Sequence, residues 1–150
     1  LDNGSGAGGS HGQQREYPMH CRNEKHPITK GLPDNWIHAR DEMYDRMRGP
    51  ANIKDLLYSG YADEKTGGSG REEPLVFTVD YGKARIFHIM LGHAGPTLEK
   101  NPAMQCVGFQ TLLLRGSEWA ATGKVKQAIP KDFPTKDKVS LRPDYKAPQK

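Results

Sequence analysis

Residues 84–123 predict an α/β domain in which an open sheet is covered by helices. Ala84–Leu91 is apolar apart from Arg85 and His88, a pattern typical of a strand covered on both faces. Gly92 breaks this strand, and a long amphipathic helix is expected over residues 102–122. A buried strand followed by a loop and a long helix is typical of α/β folds.

The helix carries its own start and stop signals. Asn101 can cap the free amides, Pro102 suits the first helical position, and Gly123 is placed to end the helix. Apolar residues recur near a period of 3.6 at Val107, Leu112, Leu113, Trp119 and Ala120. One face of this helix is therefore expected to be buried.

Other strands are expected before this region, at Arg15–Cys21, Ile53–Tyr61 and Pro74–Val79. Pro18 favours an edge position or a bulge for the first of them. Tyr81–Lys83 is short enough to join the third to Ala84–Leu91 as a hairpin. His26–Pro33 is expected to form a turn, and the glycine-rich Asp63–Glu72 either a plain connection or a flap over a site.

The segment Trp36–Tyr44 concentrates reactive side chains, and it can be read as a strand or as a helix. In a strand, His38 and Glu42 share one face and Asp41 projects from the other. In a helix, His38 and Glu42 are four positions apart (i, i+4) and again share a face. Both geometries place His38 beside Glu42, although a solvated charged segment is the alternative explanation.

Length and charge exclude several classes of protein. The chain has 150 residues, which suits one domain. Residues 124–150 carry eight Lys/Arg and three Asp/Glu, so that this tail has a net charge of +5 and the rest a charge of −1. Because the basic charge belongs to a tail, we expect no nucleic-acid partner. No run approaches the roughly 18 apolar residues of a membrane span, and no signal peptide is visible.

Two interpretations of each end of the chain are open. Residues 1–15 are rich in glycine and form either a disordered end or a ligand-facing loop that presents His11. The proline- and lysine-rich residues 124–150 form either a solvated tail or a segment anchored by Phe133 and Leu141.

Four side chains are candidate ligands for a divalent metal ion, namely His11, His38, Glu42 and His93. Neutral imidazoles and carboxylates are usual ligands of Zn²⁺, which lowers the pKa of bound water. Glu42 or Asp41 can instead act as a general base, with Tyr44 in support. The spacing is not diagnostic, because the chain has no H-E-x-x-H or C-x-x-C motif. Scattered surface histidines are the alternative.

Several segments together resemble one family. They are GGSHG (8–12), HPITKGLP (26–33), DEMYDRMRGP (41–50), GKARIFHIMLGH (82–93) and GFQTLLLRGSEWAATGKV (108–125). In order and rough spacing they are similar to the trehalose-utilisation (ThuA-like) family. Ala84 departs from the family, which usually has a second glycine there. The resemblance implies a flavodoxin-like, class I glutamine amidotransferase-like three-layer sandwich. Residues 1–123 would be its C-terminal portion, with the N-terminal strands and helices lying upstream.

The resemblance also implies a role in the use of trehalose or a related disaccharide or keto-sugar. The first hypothesis is a metal-assisted hydrolase whose divalent metal, expected to be zinc, is held by the four candidate ligands. Its catalytic residues would be Glu42, Asp41 and Tyr44, and its substrate-binding residues Trp36, Gly92 and His93.

The second hypothesis is a non-catalytic carbohydrate-binding or accessory domain, with aromatic rings such as Trp36, Tyr44 and Tyr61 stacking on sugars. A glutamine amidotransferase is disfavoured, because neither Cys21 nor Cys106 stands on a strand-to-helix nucleophile elbow and both are expected to be buried free thiols. We expect a small sugar as partner, no nucleotide cofactor and no membrane. A homo-oligomer is compatible with the sequence, and the compartment is left open.

Overall fold

The computed structural model describes residues 8–49, 52–95 and 101–143. The strands are β1 (Ser10–His11), β2 (Arg15–Cys21), β3 (Asn35–Asp41), β4 (Tyr44–Asp45), β5 (Asp55–Tyr61), β6 (Glu72–Tyr81) and β7 (Ala84–Ile89). The helices are α1 (Pro102–Gln105) and α2 (Val107–Thr122), and Glu64–Thr66 forms a 3₁₀ turn. Neither helix in this described part has the length and apolar character needed to cross a membrane.

The strands form one five-stranded sheet in the order β3-β2-β5-β6-β7 and a two-stranded ribbon of β1 and β4. Every pairing among these strands is antiparallel. The protein is therefore a mixed α/β structure, as expected. The predicted open sheet with strands covered on both faces differs from this sheet, because sheets of that kind are mostly parallel whereas the strands here are antiparallel.

The strand expected to be covered on both faces is instead an edge strand. Among the described residues β7 pairs with β6 alone, and its first half is exposed, with Ile86 at 40%. Helix α2 covers one side of it, where Arg85 Nε donates to the carbonyl of Trp119. The prediction of two covered faces was wrong: within the described residues α2 packs on β7, yet the first half of the strand stays exposed. An apolar run does not reveal which elements pack on each face of a strand. The predicted hairpin is confirmed, since β6 and β7 pair in continuous register from Tyr81↔Ala84.

The long helix is present in two pieces. Cys106 has extended backbone angles (φ −63°, ψ 121°) and forms an antiparallel bridge with Leu141, which separates α1 from α2. The predicted ends are confirmed: the Asn101 side chain accepts from the amide of Met104, and Gly123 ends α2 with φ 75°. A left-handed residue at this position is a common way to end a helix.

The three predicted upstream strands and the turn are also confirmed. The strand expected at Arg15–Cys21 is β2. The expected strands at Ile53–Tyr61 and Pro74–Val79 correspond to β5 and β6, and residues 26–32 form a hydrogen-bonded turn. β2 is not an edge strand, which was the first alternative that Pro18 favoured. The second alternative, a bulge, agrees with the register shift between Arg15 and Tyr17 in the pairing of β2 with β3. β2 lies between β3 and β5, but its pairing with β5 begins only at His20, so the missing amide of Pro18 interrupts no bond on that side.

Residues 124–143 lie along the domain, which is the anchored alternative for the tail. The Phe133 ring packs edge-on against Trp36 at 5.5 Å between centroids. Ile37 donates its backbone N–H to the carbonyl of Thr135, so the tail also covers the outer edge of β3. The core beneath is made of side chains that are fully buried, chiefly Trp36, Tyr17, Tyr58, Met19, Ile28, Leu57, Leu75 and Leu112.

Candidate functional site

A bulge at the end of β3 places His38 and Asp41 on the same side of the strand. Tyr17 pairs with His38 and Arg15 pairs with Asp41, so two steps along β2 match three steps along β3. The extra residue in β3 reverses the alternation of side chains beyond it. The expectation that Asp41 projects away from His38 is therefore wrong, and His38 contacts Asp41 rather than Glu42. His38 Nε2 lies 2.8 Å from Asp41 Oδ2.

Asp41 is a buried structural carboxylate. Besides the contact with His38, Oδ2 accepts a hydrogen bond from the backbone amide of Gly92 (2.7 Å). Oδ1 accepts hydrogen bonds from the backbone amides of His93 (3.2 Å) and Glu42 (2.8 Å). Its side chain is 0% exposed, and these four donors match the roughly four acceptor positions of a carboxylate. Asp41 is thus not placed to accept a proton from a ligand, and the alternative of Asp41 as general base is corrected.

His38 lies in the core behind the site. Its side chain is 0% exposed, between the rings of Tyr17 (5.2 Å) and Trp36 (5.9 Å). Burial disfavours the charged imidazole, but the hydrogen bond to Asp41 and the adjacent Cys106 thiol outweigh burial and raise the pKa of His38 to about 9. Nδ1 has no hydrogen-bond partner of ordinary geometry among the described residues. His38 therefore does not reach the other candidate metal ligands.

Glu42 is the centre of the exposed part of the site. Oε2 accepts from the hydroxyl of Tyr44 (3.0 Å) and lies 3.1 Å from His93 Nδ1 and 3.7 Å from His11 Nε2. Gln14 Nε2 donates to Oε1 over 3.2 Å. The Glu42 side chain is 12% exposed, whereas those of His11 and His93 are 43% and 38% exposed. A ligand can reach the imidazoles, with the carboxylate just beneath them.

The β1–β4 ribbon positions two of these groups. His11 pairs with Tyr44 in the register of the ribbon, and their rings meet edge-on at 5.6 Å. His11 Nδ1 donates to the carbonyl of Gly12, and Nε2 on the other side of the ring faces Glu42. Burial and the hydrogen bond to Glu42 raise the pKa of Tyr44, which keeps its hydroxyl protonated. The ligand-facing alternative for this loop matches the position of His11, while residues 1–7 lie outside the described residues.

The loop after β7 supplies His93. Gly92 adopts φ 86°, and a Cβ there would lie 2.5 Å from the Phe109 ring, so only glycine fits. The Asn101 side chain donates to the carbonyl of His93 and thereby joins this loop to the start of α1. Gly92 therefore shapes the backbone and donates its amide to Asp41.

The structure brings four of the predicted site residues together: His11, Glu42, Tyr44 and His93. Trp36 is fully buried and presents no face to a ligand, so the expectation that it stacks on a sugar is corrected. Gln14 and Asn101 were missed as members of the site. Asn101 gave only a helix-cap signal, and Gln14 lay in a polar segment with no pattern to mark it.

The donor set is chemically suited to zinc, but its side chains are not already arranged around one point. In the described part of the chain, no three His, Cys, Asp or Glu side chains form a ready metal-binding group. The two imidazole nitrogens that face Glu42 Oε2 lie 3.1 and 3.7 Å from it. Donor atoms on a tetrahedral zinc ion lie about 3.4 Å apart. The two distances measured from Glu42 Oε2 are close to that spacing.

Comparison with known proteins confirms the resemblance. The family model described as trehalose utilisation (ThuA) matches residues 4–120, and no curated protein matches the chain. A crystal structure of a protein named only as ThuA-like, from Parabacteroides merdae, is 68% identical with a TM-score of 0.91 and covers 95% of this chain. The chain spans about half (51%) of that solved chain. The chain belongs to the trehalose-utilisation (ThuA) family.

Proposed function

We propose that this chain carries the reactive carboxylate of a protein that processes trehalose or a related disaccharide or keto-sugar. The family description supports the substrate class. The observation that carries the chemistry is the convergence of His11, Tyr44 and His93 on one carboxylate oxygen of Glu42. The flavodoxin-like sandwich stays a prediction for the whole protein, since the strands described here pair only antiparallel.

The reaction best suited to this arrangement is hydrolysis assisted by a general base. Glu42 lies at the boundary of the solvent, where it can take a proton from a water molecule or a sugar hydroxyl. His93 and His11 are more exposed and can exchange protons with the substrate. Tyr44 and Gln14 hold the carboxylate in one orientation through its two oxygens.

A divalent metal ion fits the same groups. His11, Glu42 and His93 would hold it, while His38 would not, because its Nε2 is bonded to Asp41 in the core. The ion would lower the pKa of a bound water molecule and polarise a sugar oxygen.

The alternative is a carbohydrate-binding domain without catalysis. Its expected aromatic platform is weakened by the burial of Trp36, but Tyr44 is half-buried at the site and Tyr61 is 47% exposed. Binding of a sugar without turnover would support this alternative.

The test is to incubate the chain with trehalose, other disaccharides and keto-sugars, with and without Zn²⁺, and to follow products by NMR. Glu42→Gln should lower turnover by on the order of 100-fold or more, since it removes the base but keeps the shape. His88→Gln is the matched control, because His88 stacks on Phe77 in the sheet and does not contact Glu42. Turnover retained in Glu42→Gln would overturn the proposed role of Glu42. If the chain neither binds nor turns over any of the sugars tested, that result would contradict both proposed functions.

A further inference from the structure

We propose that His38 is a positioning residue that acts through Asp41 to hold Glu42 and His93 in place. Its importance for activity rests on the proposed function, but its mechanical role does not. His38 reaches no ligand, since its side chain is completely buried.

The carboxylate of Asp41 joins two segments that are far apart in sequence. Oδ1 accepts the amides of Glu42 and His93, which lie 51 residues apart, and Oδ2 accepts the amide of Gly92. The two groups that meet at 3.1 Å, Glu42 Oε2 and His93 Nδ1, belong to residues whose amides share one oxygen. The orientation of Asp41 therefore sets the distance between the two backbones that carry the site.

His38 fixes that orientation. It is the side-chain donor to Asp41, whereas the three further donors within the described residues are backbone amides. A bond from Nε2 to Oδ2 prevents the carboxylate from turning about its terminal bond. The imidazole is itself held, because the β3 bulge fixes its backbone and Tyr17 and Trp36 flank its ring.

Two substitutions, each of which retains the position of one ring nitrogen, separate this role from ordinary packing. A glutamine amide nitrogen can occupy the place of Nε2 and donate to Asp41, whereas an asparagine amide reaches only the place of Nδ1. Both side chains are polar and uncharged, so the two variants bury groups of similar polarity. They differ chiefly in whether Asp41 keeps its side-chain donor.

The experiment is amide hydrogen exchange, followed by NMR on the full chain without any sugar. We expect His38→Asn to speed exchange at the amides of Glu42, Gly92 and His93 by at least about 10-fold relative to the core strands β5 and β6. His38→Gln should restore rates to within about 3-fold of the unsubstituted protein. Cys106→Ala, which removes the thiol beside the imidazole, should leave these three rates unchanged.

Unchanged rates at the three amides in His38→Asn would overturn the proposal. A uniform increase that includes β5 and β6 would also overturn it, because it would show a role in global stability alone. Should His38→Asn fail to fold, Asp41→Asn replaces it. That variant removes acceptor capacity from the same junction, and full protection of Gly92 and His93 there would be equally contradictory. Since no substrate is present, these outcomes are independent of whether the chain turns over a sugar.

Discussion

Arg115 donates from Nε to the carbonyl oxygen of Ile28 over 2.6 Å, although 87 residues separate them. Its other nitrogens donate to the carbonyls of Pro27, Lys30 and Gln127 at 2.7–2.9 Å. Arg115 is only 5% exposed, so helix α2 holds the turn of residues 26–32 and the start of the tail through one buried guanidinium.

Arg115→Met should therefore destabilise the protein by roughly 3 kcal/mol, because it leaves several carbonyls without their donor. Urea unfolding followed by tryptophan fluorescence measures this change. Arg142→Met is the matched control. Arg142 pairs with Asp132 at the surface, and the loss of an exposed ion pair should cost about 0–1 kcal/mol. Equal effects of the two variants would contradict the assigned role of Arg115.

The titration of His38 gives a second prediction. Its pKa is raised to about 9, so the imidazole should stay charged through neutral pH, as seen from its ring proton and carbon shifts in NMR. Asp41→Asn should lower this pKa markedly, because burial then acts without its main opposing partner. A ring that titrates near the ordinary value of about 6.5 in the unsubstituted protein would contradict the burial and pairing described here.

The same shift has a consequence for stability. Between about pH 6.5 and pH 9 the native protein keeps the His38 proton and the unfolded chain loses it. The stability that this group contributes is therefore fully present below about pH 6.5 and is lost as the pH rises through about 9. His38→Gln should remove that part of the pH dependence, measured by urea unfolding at several pH values.

The contact between α2 and β7 gives a third prediction. A Cβ on Gly116 would lie 2.2 Å from Phe87 Cε1, so Gly116→Ala should destabilise the protein by about 1–2 kcal/mol. This is the opposite of what helix propensity alone predicts, which favours alanine by about 1 kcal/mol. Thermal melts measure this change. In the same experiment Ser117→Ala, on the exposed face of the helix, should be neutral or slightly stabilising. Combining Gly116→Ala with Phe87→Ala should cost less than the sum of the single changes, because the clash is removed.

Local signals in the sequence predicted the local features of the fold. Asn101 and Gly123 marked the helix ends, and the short link at Tyr81–Lys83 marked the hairpin, since each depends on residues close in sequence. The break at Cys106 was not predictable in this way, because it depends on pairing with Leu141, 35 residues further along.

The candidate site was predicted in part for the same reason. Residue type and the family resemblance together singled out His11, Glu42 and His93, since imidazoles and a carboxylate are suited to this chemistry. The separate role of His38 and Asp41 depends on one extra residue in β3, which shows only when that strand is paired with β2. A side-chain alternation counted along one strand cannot reveal a bulge.

The packing of the tail gives the last prediction. The Phe133 ring meets Trp36 at 5.5 Å and is partly buried against the core, whereas Leu141 is 40% exposed and is held through its backbone. Phe133→Ala should therefore destabilise the protein by roughly 2 kcal/mol and alter the fluorescence of Trp36, while Leu141→Ala should change stability much less. Because Ile37 bonds to Thr135 just beyond Phe133, losing the ring should also expose the outer edge of β3. Faster amide exchange at Ile37 in Phe133→Ala, but not in Leu141→Ala, would show that the tail protects this edge. Equal rates in both variants would mean that the ring and the edge contact are independent.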